Sequence, residues 1–389
     1  MKIAAVGSCL FAALALLCGS SCMTSNSIRF QRLLDASVRR NSGLGGGVVR
    51  IESAAHGVLF EGAAGNRVDG QPMAVGDTFE VASITKTFTA TCVMMLVEEG
   101  RLRLAEPIGD LLPSKLTRKL LVIDGHDYGA EITVGQLLGH TSGLPDYWTD
   151  PPLHDGDNAF VHDFLEDPDR LWEPEEILGY ARKLHPIALP GQRYHYGDTG
   201  YVLLGLIVEH VTGKRLHAVL RERILAPLGM SDTYFSYYEQ APSGARESHR
   251  YEGSLDLFGQ RRQSAEWAAG GLVSSTRDLS RFILSLAEGR LFNKAATLSA
   301  MTTWKPTGTR GVAYGLGLFR ITLDDGRGQL WGHDGHGNAF MYYWPEQRIA
   351  VVGTLNQTEN DWWEFVSPAL REPTIHHDEV RGSARESER

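Results

Sequence analysis

The sequence predicts an α/β (α+β) fold: an antiparallel sheet flanked by helices, formed by the N- and C-terminal segments, with an all-helical region inserted. Two observations predict it. Strand-like runs lie near both ends of the chain, at Val48–Ile51 and Gly57–Phe60 and again from Tyr314 onward, whereas the long middle carries helical patterns with start and stop signals. The 389 residues are 42% apolar, which is ordinary for a globular protein with a core of its own. On this reading residues 28–105 plus 300–371 make the α/β core, 106–299 the inserted helical region, and 372–389 a polar, disordered tail.

In chain order, residues 1–22 read as an export signal. Lys2 gives a positive start, Ile3–Leu17 is apolar or small, and Gly19-Ser20-Ser21 precede Cys22. The apolar run is short for a spanning helix. Leu17–Cys22 resembles a bacterial lipoprotein cleavage site with Cys22 as the lipidated residue, although Gly19 stands where that pattern usually has leucine; plain secretion is the alternative. The expected location is the cell envelope, periplasmic or membrane-anchored through Cys22.

Ser27–Arg40 reads as an amphipathic helix broken by Gly43–Gly47, and the two N-terminal strands follow. Thr91–Glu99 reads as an apolar helix that stops at Gly100, with Ser83 and Lys86 on the helix's first turn. Pro107–Pro113 is a loop with a short helix, and Val134–Leu138 is a helix closed by Gly139–Pro145. Tyr147–Trp172, acidic and aromatic with prolines, is expected to be a long loop or lid. Pro174–Leu184 is helical with its proline in the first turn. Asp198 or Thr199 caps a helix over Gly200–Val211 that ends at Gly213, and Leu216–Leu225 is a further helix. Ser243–Glu266 is polar and irregular, and Ala268–Leu272 opens a helical stretch over Thr276–Glu288. Leu316–Phe319, Leu330–Gly332, Ala339–Trp344 and Ile349–Gly353 are expected strands, the last two joined by a turn at Pro345–Arg348.

The net charge of −9 and the lack of a basic run interleaved with aromatics argue against a nucleic-acid surface. Cys9 and Cys18 fall in the leader, and Cys92 sits in an apolar helix as core packing; there is no disulfide framework and no zinc spacing.

Ser83 and Lys86 are three residues apart at the start of a helix, so they share a face. A serine is a weak nucleophile until a neighbouring base takes its proton, and a lysine does this only where its surroundings favour the free amine. Ser-x-x-Lys alone is common by chance, and a buried helix start with a snorkelling lysine explains it as well. Two other stretches could face the pair. Tyr196, in Tyr194–Asp198, could carry a proton, or could simply pack beside an N-cap aspartate. Gly332–Gly337 sets glycines beside a strand, where a substrate can approach the backbone, and His333 could bind a carboxylate or steady a proton network. His333 and His336 are three apart beside a strand and tend to opposite faces, which argues against a shared metal. Neither a metal nor an organic cofactor is expected.

Val81–Thr89 resembles the first motif of the serine β-lactamase and penicillin-binding protein superfamily. More narrowly it is similar to the branch of class C β-lactamases, DD-carboxypeptidases and related esterases. His140–Pro145, Pro190-Gly191 before Tyr196, Gly200–Gly205, Pro227–Met230, Ala269–Leu272 and Tyr314–Gly317 fit that branch in order and spacing, over about residues 30–356. The resemblance implies a β-lactamase/transpeptidase-like fold with Ser83 as the acylated nucleophile and Lys86 as its proton partner. It makes Tyr196 the tyrosine of a Tyr-x-Asn motif and puts His333-Asp334-Gly335 in the place of Lys-Thr-Gly or His-x-Gly. It also implies an oxyanion hole from the backbone amides of Ser83 and His336, with Asp198, His333, Gly335 and His336 at the substrate. Lys305–Gly308 echoes Lys-Thr-Gly, but a proline splits it and no clear strand is expected to carry it; Ser231-Asp232-Thr233 reads as a helix-exit turn.

Two residues depart from the branch. Asp198 stands where it has asparagine, whose amide touches the lysine and a substrate amide carbonyl. An ionised aspartate has no donor to offer, and its charge would pair with Lys86 and weaken it as a base. That moves weight to Tyr196 as base and away from efficient β-lactam hydrolysis. His333 in place of lysine removes a fixed positive charge at neutral pH. The function expected is an exported serine hydrolase working through an acyl-enzyme on an amide or ester, DD-carboxypeptidase-like or esterase-like, with a small-molecule or peptidoglycan-peptide substrate. A true class C-type β-lactamase and a non-turnover penicillin-binding or wall-sensing lipoprotein are the alternatives.

Overall fold

The structure, a computed structural model, describes residues 25–39, 45–68, 70–153, 156–323 and 326–371. The expected leader with Cys22 and the tail 372–389 lie outside the described residues.

Nine antiparallel strands form one sheet. From one edge to the other they are Lys305–Pro306, Val312–Tyr314, Phe319–Thr322, Gln329–Gly335, Ala339–Trp344, Ile349–Thr354, Gly46–Ser53, Gly57–Val68 and Gln71–Pro72. The two ends of the chain meet at its centre, where Val48 faces Thr354 and Ser53 faces Ile349. The sheet is therefore built by the N- and C-terminal segments, as expected. Every residue of Ala339–Trp344 and Ile349–Thr354 is buried, because both faces of the sheet are covered. Strand alternation sends Val48, Trp331, Met341 and Val352 to one face and Val49, Ile51, Phe340 and Val351 to the other. The helices Ser25–Arg39 and Trp363–Ala369 cover the second face. The first face packs on the helix Thr276–Ala287 and on a helical body.

At the centre of that body runs the helix Thr85–Glu98, with eleven of its fourteen residues buried. It is apolar all round, as an interior helix must be. Its alternating threonines satisfy their hydroxyls inside the core: Thr87 donates to the Gly317 carbonyl and Thr89 to that of Ala268, while Thr85 accepts from the Leu272 amide. Phe88 stacks on Phe282 at 3.7 Å between centroids. Cys92 lies in the same core, and burial pushes its thiol up to about 12. No helix among the described residues is long and apolar enough to cross a membrane.

Several elements differ from expectation. Leu316–Leu318 is a turn between the strands Val312–Tyr314 and Phe319–Thr322. The cause is steric: Gly317 has φ +81°, and a Cβ there would lie 2.3 Å from Ala90 Cβ on the central helix. Tyr147–Trp172 is a long loop, as expected, but it carries one helix. Asn158 caps a helix, Ala159–Glu166, whose Phe160 packs on Tyr147 at 4.8 Å and on Trp172 at 4.9 Å. Four buried aromatic rings are enough to hold this acidic segment down. Lys305–Pro306 does form a strand, but at the exposed edge of the sheet. Leu216–Leu220 is α-helical and widens into a π turn at Arg221–Leu225. The irregular stretch contains a small hairpin, Tyr251–Glu252 with Leu255–Asp256, and a 3₁₀ helix at Arg261–Glu266.

Candidate active site

Ser83 lies on a 3₁₀ turn, Ala82–Ile84, just before the central helix rather than within its first turn. Two neighbours grip this turn. The Val81 amide donates to the Leu272 carbonyl at 2.9 Å, and a Cβ on Gly335 would fall 2.2 Å from the Val81 carbonyl. Ala82 is held at φ +44°. A non-glycine residue there stores about 1–3 kcal/mol of strain, and such residues gather at functional sites. His140 at φ +53° and Trp267 at φ +30° are two more, each on another wall of the site.

Lys86 is completely buried and makes three polar contacts. Its Nζ lies 2.8 Å from Ser83 Oγ, 3.0 Å from the Ala269 carbonyl and 2.6 Å from Asp198 Oδ1. The ring centroids of Tyr196 and Tyr201 stand 5.1 and 5.7 Å from it. The Tyr196 phenol lies beside the Ser83 hydroxyl. Withdrawal from water, then the charge of Asp198, pushes this phenol well above its usual range near 10, with the serine contact opposing. That shift favours the neutral phenol.

Asp198 precedes the helix Thr199–Thr212, but its side chain makes no capping bond. It pairs with Lys86 instead, and its amide donates to Asp146 Oδ1 at 2.9 Å. Burial, then the charge of Asp198, pushes Asp146 up to about 6, while Thr149 donates to its other oxygen. The His140–Pro145 loop cradles this second motif. Gly191 donates to the Thr141 carbonyl, His195 to that of His140, and Thr199 Oγ1 to that of Pro145. His140 Nδ1 accepts from the Gly197 amide at 3.3 Å, and its ring lies 4.5 Å from that of Tyr196. Burial, then the charge of Lys86, keeps His140 well below the usual histidine range, so it is neutral.

His333 and Gly335 lie on the strand Gln329–Gly335 itself, and His336 follows, exposed. His333 is buried between Tyr314 and Phe319. Its Nδ1 meets the Asp334 carbonyl at 2.6 Å, so that nitrogen carries the proton and Nε2 accepts from the Tyr314 hydroxyl at 3.2 Å. Burial, then the charge of Lys86, pushes His333 down to about 3. It offers no cation to a carboxylate at neutral pH. Asp334 turns to the opposite face, where Tyr342 donates to it at 2.7 Å.

The fold thus brings Ser83, Lys86, Tyr196 and Asp198 into one cluster, with His333 facing Tyr196 at 6.1 Å between ring centroids and Gly335 packed against the Ser83 turn. Two surface hollows lie away from these residues; one is lined by Ala74–Thr78 and Pro242–Arg246, the other by residues around Tyr180. Sequence reasoning misses Asp146 altogether, whereas His140, Ala269 and Tyr314 open stretches that fit the branch but carry no assigned role. His140 carried a usable signal, a histidine between glycines just after a helix; a backbone carbonyl such as that of Ala269 carries none.

A family model described as Beta-lactamase matches residues 35–366. The chain belongs to the beta-lactamase family. Penicillin-binding protein 4 of Amycolatopsis lactamdurans is 27% identical over 351 residues, 83% of this chain and 81% of that protein. Esterase EstB of Burkholderia gladioli is 28% identical, covering 89% of this chain and 93% of its own length. The solved structure of a D-stereospecific amidohydrolase from Streptomyces sp. superposes with a TM-score of 0.75 at 30% identity, over 89% of this chain and 98% of that one. This member of the beta-lactamase family is thus a hydrolase related to penicillin-binding proteins, esterases and amidohydrolases.

Proposed function

We propose that this chain is an exported serine hydrolase that turns over small amides or esters through an acyl-enzyme on Ser83. One observation carries the reading. Lys86 Nζ lies 2.8 Å from Ser83 Oγ, while its other two partners, the Ala269 carbonyl and the Asp198 carboxylate, can only accept. Acting as base, the amine would point two N–H bonds at those acceptors and its lone pair at Ser83 Oγ. The ammonium that results keeps all three contacts, so the transfer needs no rearrangement.

Ser83 Oγ then bonds to the carbonyl carbon, and the displaced electron pair on oxygen is received by the amides of Ser83 and His336. Collapse expels the leaving group, which takes the Tyr196 phenol proton, and Lys86 returns a proton to Tyr196. Water attacks the acyl-enzyme by the reverse sequence and releases the acid and Ser83. Each of these roles belongs to a group already in contact with Ser83 or beside it.

Asp198 and His333 weigh on the substrate. Asp198 only accepts, so it suits an acyl portion with an N–H donor or free amine better than one with an acylamide carbonyl. A neutral His333 gives a terminal carboxylate no partner. Both favour a small amide or ester over a β-lactam, and likeness to an esterase and an amidohydrolase supports the same reading. A class C-type β-lactamase ranks second.

The test is turnover of p-nitrophenyl esters and D-amino-acid p-nitroanilides, run beside a fluorescent penicillin, by wild type and Ser83→Ala. Serine-dependent multiple turnover is expected. One stable penicillin label per chain without turnover would establish the wall-sensing alternative instead. Export rests on Met1–Cys22, and the N-terminal mass of the mature protein from cell envelopes tests it; an unprocessed cytoplasmic chain would refute it.

A further inference from the structure

We propose that Arg250 is a positioning residue for the reaction: one buried guanidinium that ties together the segments presenting Ser83, the Ala269 carbonyl and the His336 amide.

Arg250 is only 6% exposed, yet it comes from the irregular stretch and touches none of the reacting groups. Its backbone is fixed, since the Leu257 amide donates to its carbonyl and the flanking His249 and Tyr251 amides donate to Arg67 and Asn356. Its side chain reaches three segments. Nε lies 3.2 Å from Glu80 Oε2, and Glu80 stands three residues before Ser83. Nη2 lies 3.1 Å from Glu266 Oε1, and Glu266 stands three residues before Ala269. Gly337, directly after His336, lies so close that a Cβ on it would be 2.6 Å from Arg250 Cδ.

Each attachment bears on a strained or tightly packed piece of the site. Glu80 leads into Val81 and the positive-φ Ala82. Glu266 precedes Trp267 at φ +30°, and a Cβ on Gly270 would come within 2.4 Å of Glu266 Oε2. The conformations that aim Ser83 and the Ala269 carbonyl thus rest on carboxylates held by the same cation. Burial alone would weaken the charge of Arg250, but Glu80 and Glu266 outweigh it and keep the guanidinium charged.

Stability alone is a poor reason for such a cluster. Buried ion pairs are often replaceable by apolar groups at no loss, and here two carboxylates share one cation whose Nη1 and Nε, like Glu80 Oε2, have no hydrogen-bond partner among the described residues. What the guanidinium supplies is fixed geometry. Its Nη2 donates to Glu266 while its Nε edge lies 3.2 Å from Glu80, so one planar group spans both carboxylates, which a lysine's single ammonium cannot reproduce.

The test uses Arg250→Lys in the full chain and rests on the acyl-enzyme reading above. Three quantities are read: kcat and KM on a p-nitrophenyl ester, the affinity for an arylboronic acid that forms a tetrahedral adduct on a nucleophilic serine, and the thermal midpoint. The expected result is a parallel fall of about 10- to 100-fold in kcat and boronate affinity, with KM within about twofold, because misplaced donors are felt mainly at the tetrahedral stage. If Arg250→Lys does not fold, Glu266→Gln decides, since it loosens only the Ala269 side; a parallel fall of about 3- to 10-fold is expected. A folded variant with wild-type kcat and boronate affinity, or one whose only change is a lower midpoint, overturns the proposal. A wild type that neither turns over ester nor binds boronate would instead overturn the acyl-enzyme reading.

Discussion

Lys86 Nζ lies 2.6 Å from Asp198 Oδ1, in a pair whose lysine is wholly buried and whose aspartate is still 16% exposed. The aspartate thus anchors Lys86 and keeps an exposed edge of its own. Asp198→Asn would give the cleft a donor and remove a charge. The ratio of kcat/KM for an N-acetylated amino-acid p-nitrophenyl ester to that for its free-amine counterpart should rise about tenfold, the worth of one charge-assisted hydrogen bond. An unchanged ratio would mean that Asp198 does not read the substrate.

Tyr196→Phe removes one hydroxyl and leaves the ring that packs against His140 and Phe319. The expected loss in kcat is about 10²-fold, typical of a displaced general acid. Because burial and Asp198 hold the phenol above its usual range, the wild-type pH–rate profile should show no limb from a tyrosinate below pH ~10. A loss of only a few-fold, or such a limb, would shift the proton transfer elsewhere.

Much of this site was readable because its key pair is local. Ser83 and Lys86 sit three residues apart at the start of a helix, so spacing alone puts them side by side. Asp198 was ambiguous between cap and lysine partner, and only the tertiary structure resolves the choice towards Lys86. Ala269 contributes a carbonyl, which every residue has, so nothing in its identity marks it. The segment Tyr147–Trp172 misled because its charges mask Phe160 and Phe164, four apart and on one helix face. The strand expected at Leu316 was out of register because the apolar run spans a turn that Gly317 makes against Ala90.

Gly335→Ala should damage catalysis more than stability. The added methyl would meet the Val81 carbonyl at 2.2 Å and push on the turn that carries Ser83. A loss of about 10²-fold in kcat/KM is expected, in line with a displacement of about 1 Å at a nucleophile. Ester kinetics on protein with a verified thermal midpoint check this; retained activity would show that the turn can yield.

His333 links stability to pH. Its folded value of about 3 lies below the ordinary histidine value near 6.5, so the unfolded chain takes up a proton that the folded one refuses. Its contribution is complete above pH ~6.5 and is lost progressively as pH falls towards about 3. Asp146, raised to about 6, and Glu247, raised to about 7, act in the opposite sense, but they do so in both proteins of a comparison. Between pH 7 and pH 5, His333→Gln should therefore lose less stability than wild type in urea denaturation. Equal losses would mean that His333 takes up its proton in the folded protein too.

The account stands on a covalent intermediate at Ser83. Intact-protein mass, recorded within seconds of mixing with a slowly hydrolysed p-nitrophenyl ester, tests it directly. Wild type should gain the mass of one acyl group and lose it again as p-nitrophenol release runs past one equivalent, and Ser83→Ala should gain nothing. Ester turnover without an adduct on rapid acid quench, or the same adduct in Ser83→Ala, would contradict it.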